Sequence, residues 1–91
     1  MSISVRIPTP LRSYADGQRT VDIDSATVGD ALAALVARHP RLGTHLYSES
    51  GELRTFVNVY VNDENARDLL GVRTALVRGD TITIVPSIAG G

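Results

Sequence analysis

An α+β roll, in which a mixed sheet packs one face on a single main helix, is predicted by the order of patterns in this 91-residue chain. Two segments with period-two alternation come first, one segment with helical period follows, and further alternating segments close the chain. Proline, glycine and Asx breakers stand between them. At about 100–200 residues per domain there is room for one domain, read as residues 1–85 with a flexible C-terminal tail over 86–91.

Ile3, Val5 and Ile7 alternate with Ser2, Ser4 and Arg6, so a first strand runs from about Ser2 to Ile7 with one face buried. Pro8 and Pro10 cannot donate to a sheet ladder and close it, and Asp16-Gly17 turns the chain into a second strand around Val21 and Ile23. The two strands form a hairpin. Thr27 is placed to cap a helix, with Asp30 at the third helical position as a weaker form of the usual Glu or Gln partner. Behind the cap Val28, Ala31, Leu32, Leu35 and Val36 recur at three- and four-residue spacing, one apolar helix face, and Pro40 ends the run.

From Arg41 to Arg54 the pattern is irregular and reads as a connecting loop with one helical turn, pinned to the core by Leu42 and Leu46. Phe56 to Val61 is the strongest strand, β-branched and aromatic, with Val57, Val59 and Val61 on one face and Phe56, Asn58 and Tyr60 on the other. Asn62-Asp63 and Gly71 begin turns, and Arg78-Gly79-Asp80 opens the last strand, Thr81 to Val85. A sheet that wraps one face around one helix in this order is a roll of the β-grasp type.

Composition narrows the chemistry. A chain of this size buries roughly 60–65% of its unfolded surface, which leaves little interior for a deep catalytic cavity. With no cysteine there is no disulfide framework, thiolate zinc site or sulfur nucleophile. A formal net charge of −1 from nine basic and ten acidic residues shows no footprint for nucleic acid or an anionic membrane. No apolar run approaches the ~20 residues of a membrane span and the N-terminus has no signal-peptide pattern, so the expected location is cytoplasmic. All nine basic residues are arginine, which makes the α-amino group the one amine the chain offers as an acceptor.

Catalytic signatures are missing. His39 and His45 have no carboxylate or cysteine at ligand spacing beside them, and no metal site is expected. No nucleophile-elbow or phosphate-cradling glycine motif occurs. Arg67, Arg73 and Arg78 are either ordinary solvated arginines or a surface that meets an acidic partner. Phe56 and Tyr60 either lie under neighbouring chain or form an apolar patch for a partner protein.

The C-terminus carries the most information. Two final glycines arise by chance in about one chain in two hundred, and here Gly90-Gly91 closely follow a strand. A tail without bulk at its last positions can be drawn extended through a narrow channel, and six residues from Pro86 span at most ~20 Å. The terminal carboxylate is then the reactive group and the domain its handle. A carboxylate is a poor electrophile and needs activation, such as acyl-adenylate formation by an ATP-using partner.

Phe56-Val57-Asn58-Val59-Tyr60-Val61-Asn62-Asp63, Gly79-Asp80-Thr81-Ile82-Thr83-Ile84 and the final Ala89-Gly90-Gly91 resemble the ubiquitin-like sulfur carriers of the MoaD/ThiS family over essentially the whole chain. The resemblance implies that Gly91 is adenylated by an E1-like adenylyltransferase and converted to a thiocarboxylate (1-thioglycine) whose sulfur passes to an acceptor enzyme. The protein is then a cosubstrate and not a catalyst, with ATP used by the partner and no cofactor of its own. Phe56, Tyr60 and Val85 would form the docking surface, and Ser87, Ile88, Ala89, Gly90 and Gly91 would enter the partner's active site. The Pro-Ser-Ile-Ala-Gly-Gly ending and the Ile7-Pro8-Thr9 start are most similar to the carriers serving cysteine biosynthesis. The implied acceptor is a cysteine synthase-type enzyme, with the molybdopterin synthase large subunit or a thiosugar synthase as alternatives, and a processing metalloprotease joins the partner set. The thiamine carriers are typically shorter and lack a segment like Arg41 to Arg54. A ubiquitin-like protein modifier is the other alternative.

Overall fold

In the computed structural model the described residues are 2–54 and 57–86. Five strands form one mixed sheet, β1 (Ser2–Arg6), β2 (Thr20–Asp24), β3 (Val57–Val61), β4 (Glu64–Asn65) and β5 (Thr81–Pro86), in the order β2-β1-β5-β3-β4. β1 and β5 are parallel at the centre, and every other neighbouring pair is antiparallel. This is the β-grasp arrangement that the pattern order predicts.

Alternation decides which face is covered. Ile3, Val5, Val21, Ile23, Val57, Val59, Val61, Ile82 and Ile84 are buried on one side of the sheet, where α1 (Val28–Arg38) contributes Val28, Ala31, Leu32 and Leu35. Val36 is partly buried against this cluster. The helix begins at its predicted cap, with the Thr27 hydroxyl oxygen accepting the Asp30 N–H at 3.2 Å, and ends at Arg38 ahead of Pro40. A close approach fixes Gly29: a Cβ there would lie 3.1 Å from the Val72 carbonyl oxygen and 3.2 Å from its Cβ. Leu42 and Leu46 are fully buried, as their spacing in the irregular segment suggests, and a one-turn helix α2 (Gly43–Leu46) holds the second of them.

Three local features differ from the sequence expectation. The β1–β2 connection is no simple turn but carries a 3₁₀ helix over Thr9–Ala15, started by proline at its first turn and anchored by the buried Leu11 and Ala15. Prolines that end a strand also have the φ that starts a helical turn, and the polar residues between Leu11 and Ala15 hide the inward pair. The turn at Asn62-Asp63 leads into the short strand β4 because Asn62 adopts φ 56°, a conformation asparagine tolerates. Finally, β5 runs one residue beyond the expected Val85, with Pro86 opposite Val57.

One end of the sheet is closed by a network of hydrogen bonds. Asn62 N–H donates to the Thr81 carbonyl at 2.7 Å, and Thr81 N–H returns to Asn62 Oδ1 at 3.1 Å. Asp80 accepts from Asn62 Nδ2 at 3.2 Å and from Val77 N–H at 2.9 Å, while its own carbonyl takes the Ser4 N–H at 3.1 Å. Reciprocal side-chain and backbone bonds of this kind satisfy strand-end groups that would otherwise need water.

Candidate functional site

The opposite end of β5 closes at Pro86, which residues 87–91 follow in the sequence. Strand register puts Tyr60 opposite Thr83 and Asn58 opposite Val85, so Tyr60 and Val85 are diagonal neighbours on the face turned away from α1. Val85 is 41% exposed and Tyr60 is half-buried. Phe56 and the tail residues Ser87, Ile88, Ala89, Gly90 and Gly91 lie outside the described residues. Arg6, opposite Thr83 on the other flank of β5, and Asn65, opposite Tyr60, complete the row.

A groove that sequence reasoning missed runs along β5 at this end. It has a volume of about 550 Å³ and lies between the Pro8–Arg12 segment and Val85-Pro86. Its origin is backbone chemistry. The register that pairs Arg6 with Thr83 would next bring residue 8 to the Ile84 carbonyl, and Pro8 has no N–H to donate. Pro86 likewise has none to offer β1, so the central ladder stops and the chain swings away into the 3₁₀ helix. Pro8 and Pro10 were visible as breakers, but their meeting with Pro86 across the sheet follows only from the parallel β1–β5 pairing.

The other candidate residues are dispersed. His39 Nδ1 lies 3.7 Å from Asp16, whereas His45 stacks on Tyr14 with ring centroids 4.2 Å apart and Arg41 lies over the same Tyr14 ring. Among the described residues no cluster of three metal-ligating side chains occurs. Arg67 donates to the Val57 carbonyl at 3.3 Å near the start of β3, while Arg78 sits in the turn before β5, so Arg67, Arg73 and Arg78 do not form one patch. Burial pushes the Tyr47 hydroxyl above the ordinary tyrosine value of 10.0. Among the described residues no helix is long and apolar enough to cross a membrane.

What the geometry offers is a folded domain whose central strand β5 runs to Pro86, five residues before the last residue of the sequence. The ThiS family model matches residues 5–91 of this sequence. The chain belongs to the ThiS family. It is 41% identical to the sulfur carrier protein CysO of Mycobacterium tuberculosis over 93 aligned residues, covering 100% of both chains. It is also 45% identical over 78 residues to small archaeal modifier protein 1 of Haloferax volcanii, covering 82% of this chain and 85% of that one. The crystal structure of the Amycolatopsis orientalis BexX/CysO complex matches with a TM-score of 0.87 at 39% identity, over 98% of this chain and 99% of that one. These ThiS-family relatives are named as carriers and modifiers, not as enzymes, and the ubiquitin-like β-grasp fold is common to the matched structures.

Proposed function

We propose that this protein is a sulfur carrier whose reactive group is the Gly91 carboxylate. The observation that carries the reading is β5: the central strand runs to Pro86, and five residues ending in Gly-Gly continue from it. Full-length identity to a protein named as a sulfur carrier supports it. In the proposed reaction an E1-like adenylating partner joins the carboxylate to AMP and releases pyrophosphate from ATP. Hydrosulfide then attacks the glycyl carbonyl, AMP leaves, and 1-thioglycine results. With no Cβ at Gly91 the approach to that carbonyl is unobstructed. Tyr60 and Val85, with Phe56, would hold the partner while Ser87 to Gly91 occupy its channel.

The acceptor we favour is a cysteine synthase-type enzyme in cysteine biosynthesis, because the closely similar CysO covers the chain from end to end. The molybdopterin synthase large subunit, a thiosugar synthase and a thiamine route are the competing destinations, and a metalloprotease that trims the tail fits the same scheme. All of these place the carrier in the cytoplasm.

Deleting Gly91 tests the chemistry. In a reaction with the adenylating enzyme, ATP and a sulfide source, the wild-type chain gains sulfur, and the deletion gains none while its Tm stays within about 2 °C. Sulfur loading of the deletion would contradict the proposal.

A second reading, transfer of the activated carboxylate to lysines of other proteins, is favoured by the 45% identity to a small archaeal modifier protein. Because the chain has no lysine, it cannot receive a second copy through an isopeptide bond, and each modified lysine would carry a single copy unless the α-amino group is used. Gly-Gly remnants on lysines of cellular proteins would support this reading, and their absence would leave the carrier alone.

A further inference from the structure

The carrier reading leaves unstated what the partner presents to the domain around the tail, and the groove beside β5 answers that. We propose that it seats an extended acidic segment at the rim of the channel that receives the tail. The proposal rests on the carrier reading and deepens it.

Position comes first. The five residues after Pro86 reach at most about 18 Å, so a reactive centre acting on Gly91 holds its surrounding surface close to Pro86, and Pro86 is itself a wall of the groove. The groove's chemistry comes second. Pro8, Pro10 and Leu11 on one side and Val85 and Pro86 on the other make apolar walls. The Ile84 carbonyl, which Pro8 cannot serve, is left to accept an N–H from an extended segment.

Charge comes third. Arg6 and Arg12 line the groove, and Arg19 lies beside them, its carbonyl accepting the Ile7 N–H. Among the described residues none of the three has a carboxylate partner within 4.0 Å; Arg12 donates from Nε to the Ile7 carbonyl at 3.1 Å. Asp16, in the same hairpin connection, faces His39. Asp22 and Asp24 on the edge strand β2 and Asp80 in the turn before β5 are toward the far end, opposite Ser4 and Ser2 or beside Thr81. The chain has a net charge of −1, yet Arg6, Arg12 and Arg19 make the groove end of β5 locally basic, while Arg38 and Arg78 lie with the aspartates of the other end. Such a cluster orients an encounter with an acidic rim, tail first.

The test uses the full chain and the purified E1-like adenylating enzyme of the same organism, with binding measured by calorimetry. Arg6 is exposed on the outer face of β1, so Arg6→Glu leaves the core untouched. It is expected to weaken binding about tenfold or more, Arg6→Gln by a smaller factor, and Arg73→Glu, outside the groove, by no more than about twofold. A photo-cross-linking residue at position 10 should join the enzyme within a stretch containing Asp or Glu. Wild-type affinity in Arg6→Glu, or a cross-link into a stretch without acidic residues, overturns the groove assignment while sulfur loading of the wild type keeps the carrier reading intact. If the wild-type chain neither binds nor is adenylated, both fall together.

Discussion

The two ends of the central strands differ more than their shared sheet suggests. At one, Asn62 and Asp80 tie β3, the turn before β5 and β1 together through five hydrogen bonds of 2.7–3.2 Å. At the other, Pro8 and Pro86 remove the donors that would have continued the ladder, and arginines surround the groove that results. The same strands are thus anchored at one end and left available at the other. A carrier needs that combination, since the handle must stay folded while its terminus is drawn into another protein.

The comparison breaks first at what both ends share. Leu35 is fully buried on α1 beneath the sheet, and Leu35→Ala is expected to cost about 2–5 kcal/mol. Chemical denaturation measures it, and a loss below about 1 kcal/mol would mean that the core is not what holds the two ends in one sheet. Next, Asp80→Ala removes acceptors for Val77 N–H and the Asn62 amide and is expected to cost about 1–3 kcal/mol. Arg6→Ala at the open end should stay within about 0.5 kcal/mol. Equal costs for the two would erase the distinction between a locked and an available end.

The strands and helix of this fold are legible in the sequence because burial on one face forces periodicity: Val57, Val59 and Val61 face inward, and Thr27 caps α1. The outward face of Asn58 and Tyr60 was legible in the same way, whereas its joining with Val85 follows from the β3–β5 register. The Thr9–Ala15 helix was hidden because Pro8 and Pro10 signal the end of a strand whether or not a helical turn follows. The groove was hidden for a longer-range reason, since its walls come from opposite ends of the chain and meet only through the parallel β1–β5 register. The local basic cluster was masked in the same way: Arg6, Arg12 and Arg19 are separated along the sequence and come together only through the β1–β2 pairing.

The smallest expected effect lies in the segment between α2 and β3. Tyr47 is half-buried and its pKa is raised by desolvation, so the folded state favours the neutral phenol. This contribution is intact below the ordinary value of 10.0 and is lost as pH rises through the folded pKa, because the unfolded chain ionises first. Tm measured from about pH 9 to 11 should therefore fall less steeply in Tyr47→Phe than in the wild type, and identical slopes would contradict the assignment.

The most direct test of the account concerns the tail at the open end. Cleavage after Arg78 of protein isolated from its own host releases Gly79–Gly91, a fragment without Met1, whose oxidation nearly matches the mass gained when sulfur replaces oxygen. The account predicts a population of this fragment heavier by that replacement, located at Gly91. An unmodified Gly91 carboxylate throughout, in cells quenched before a thiocarboxylate can hydrolyse, would contradict it.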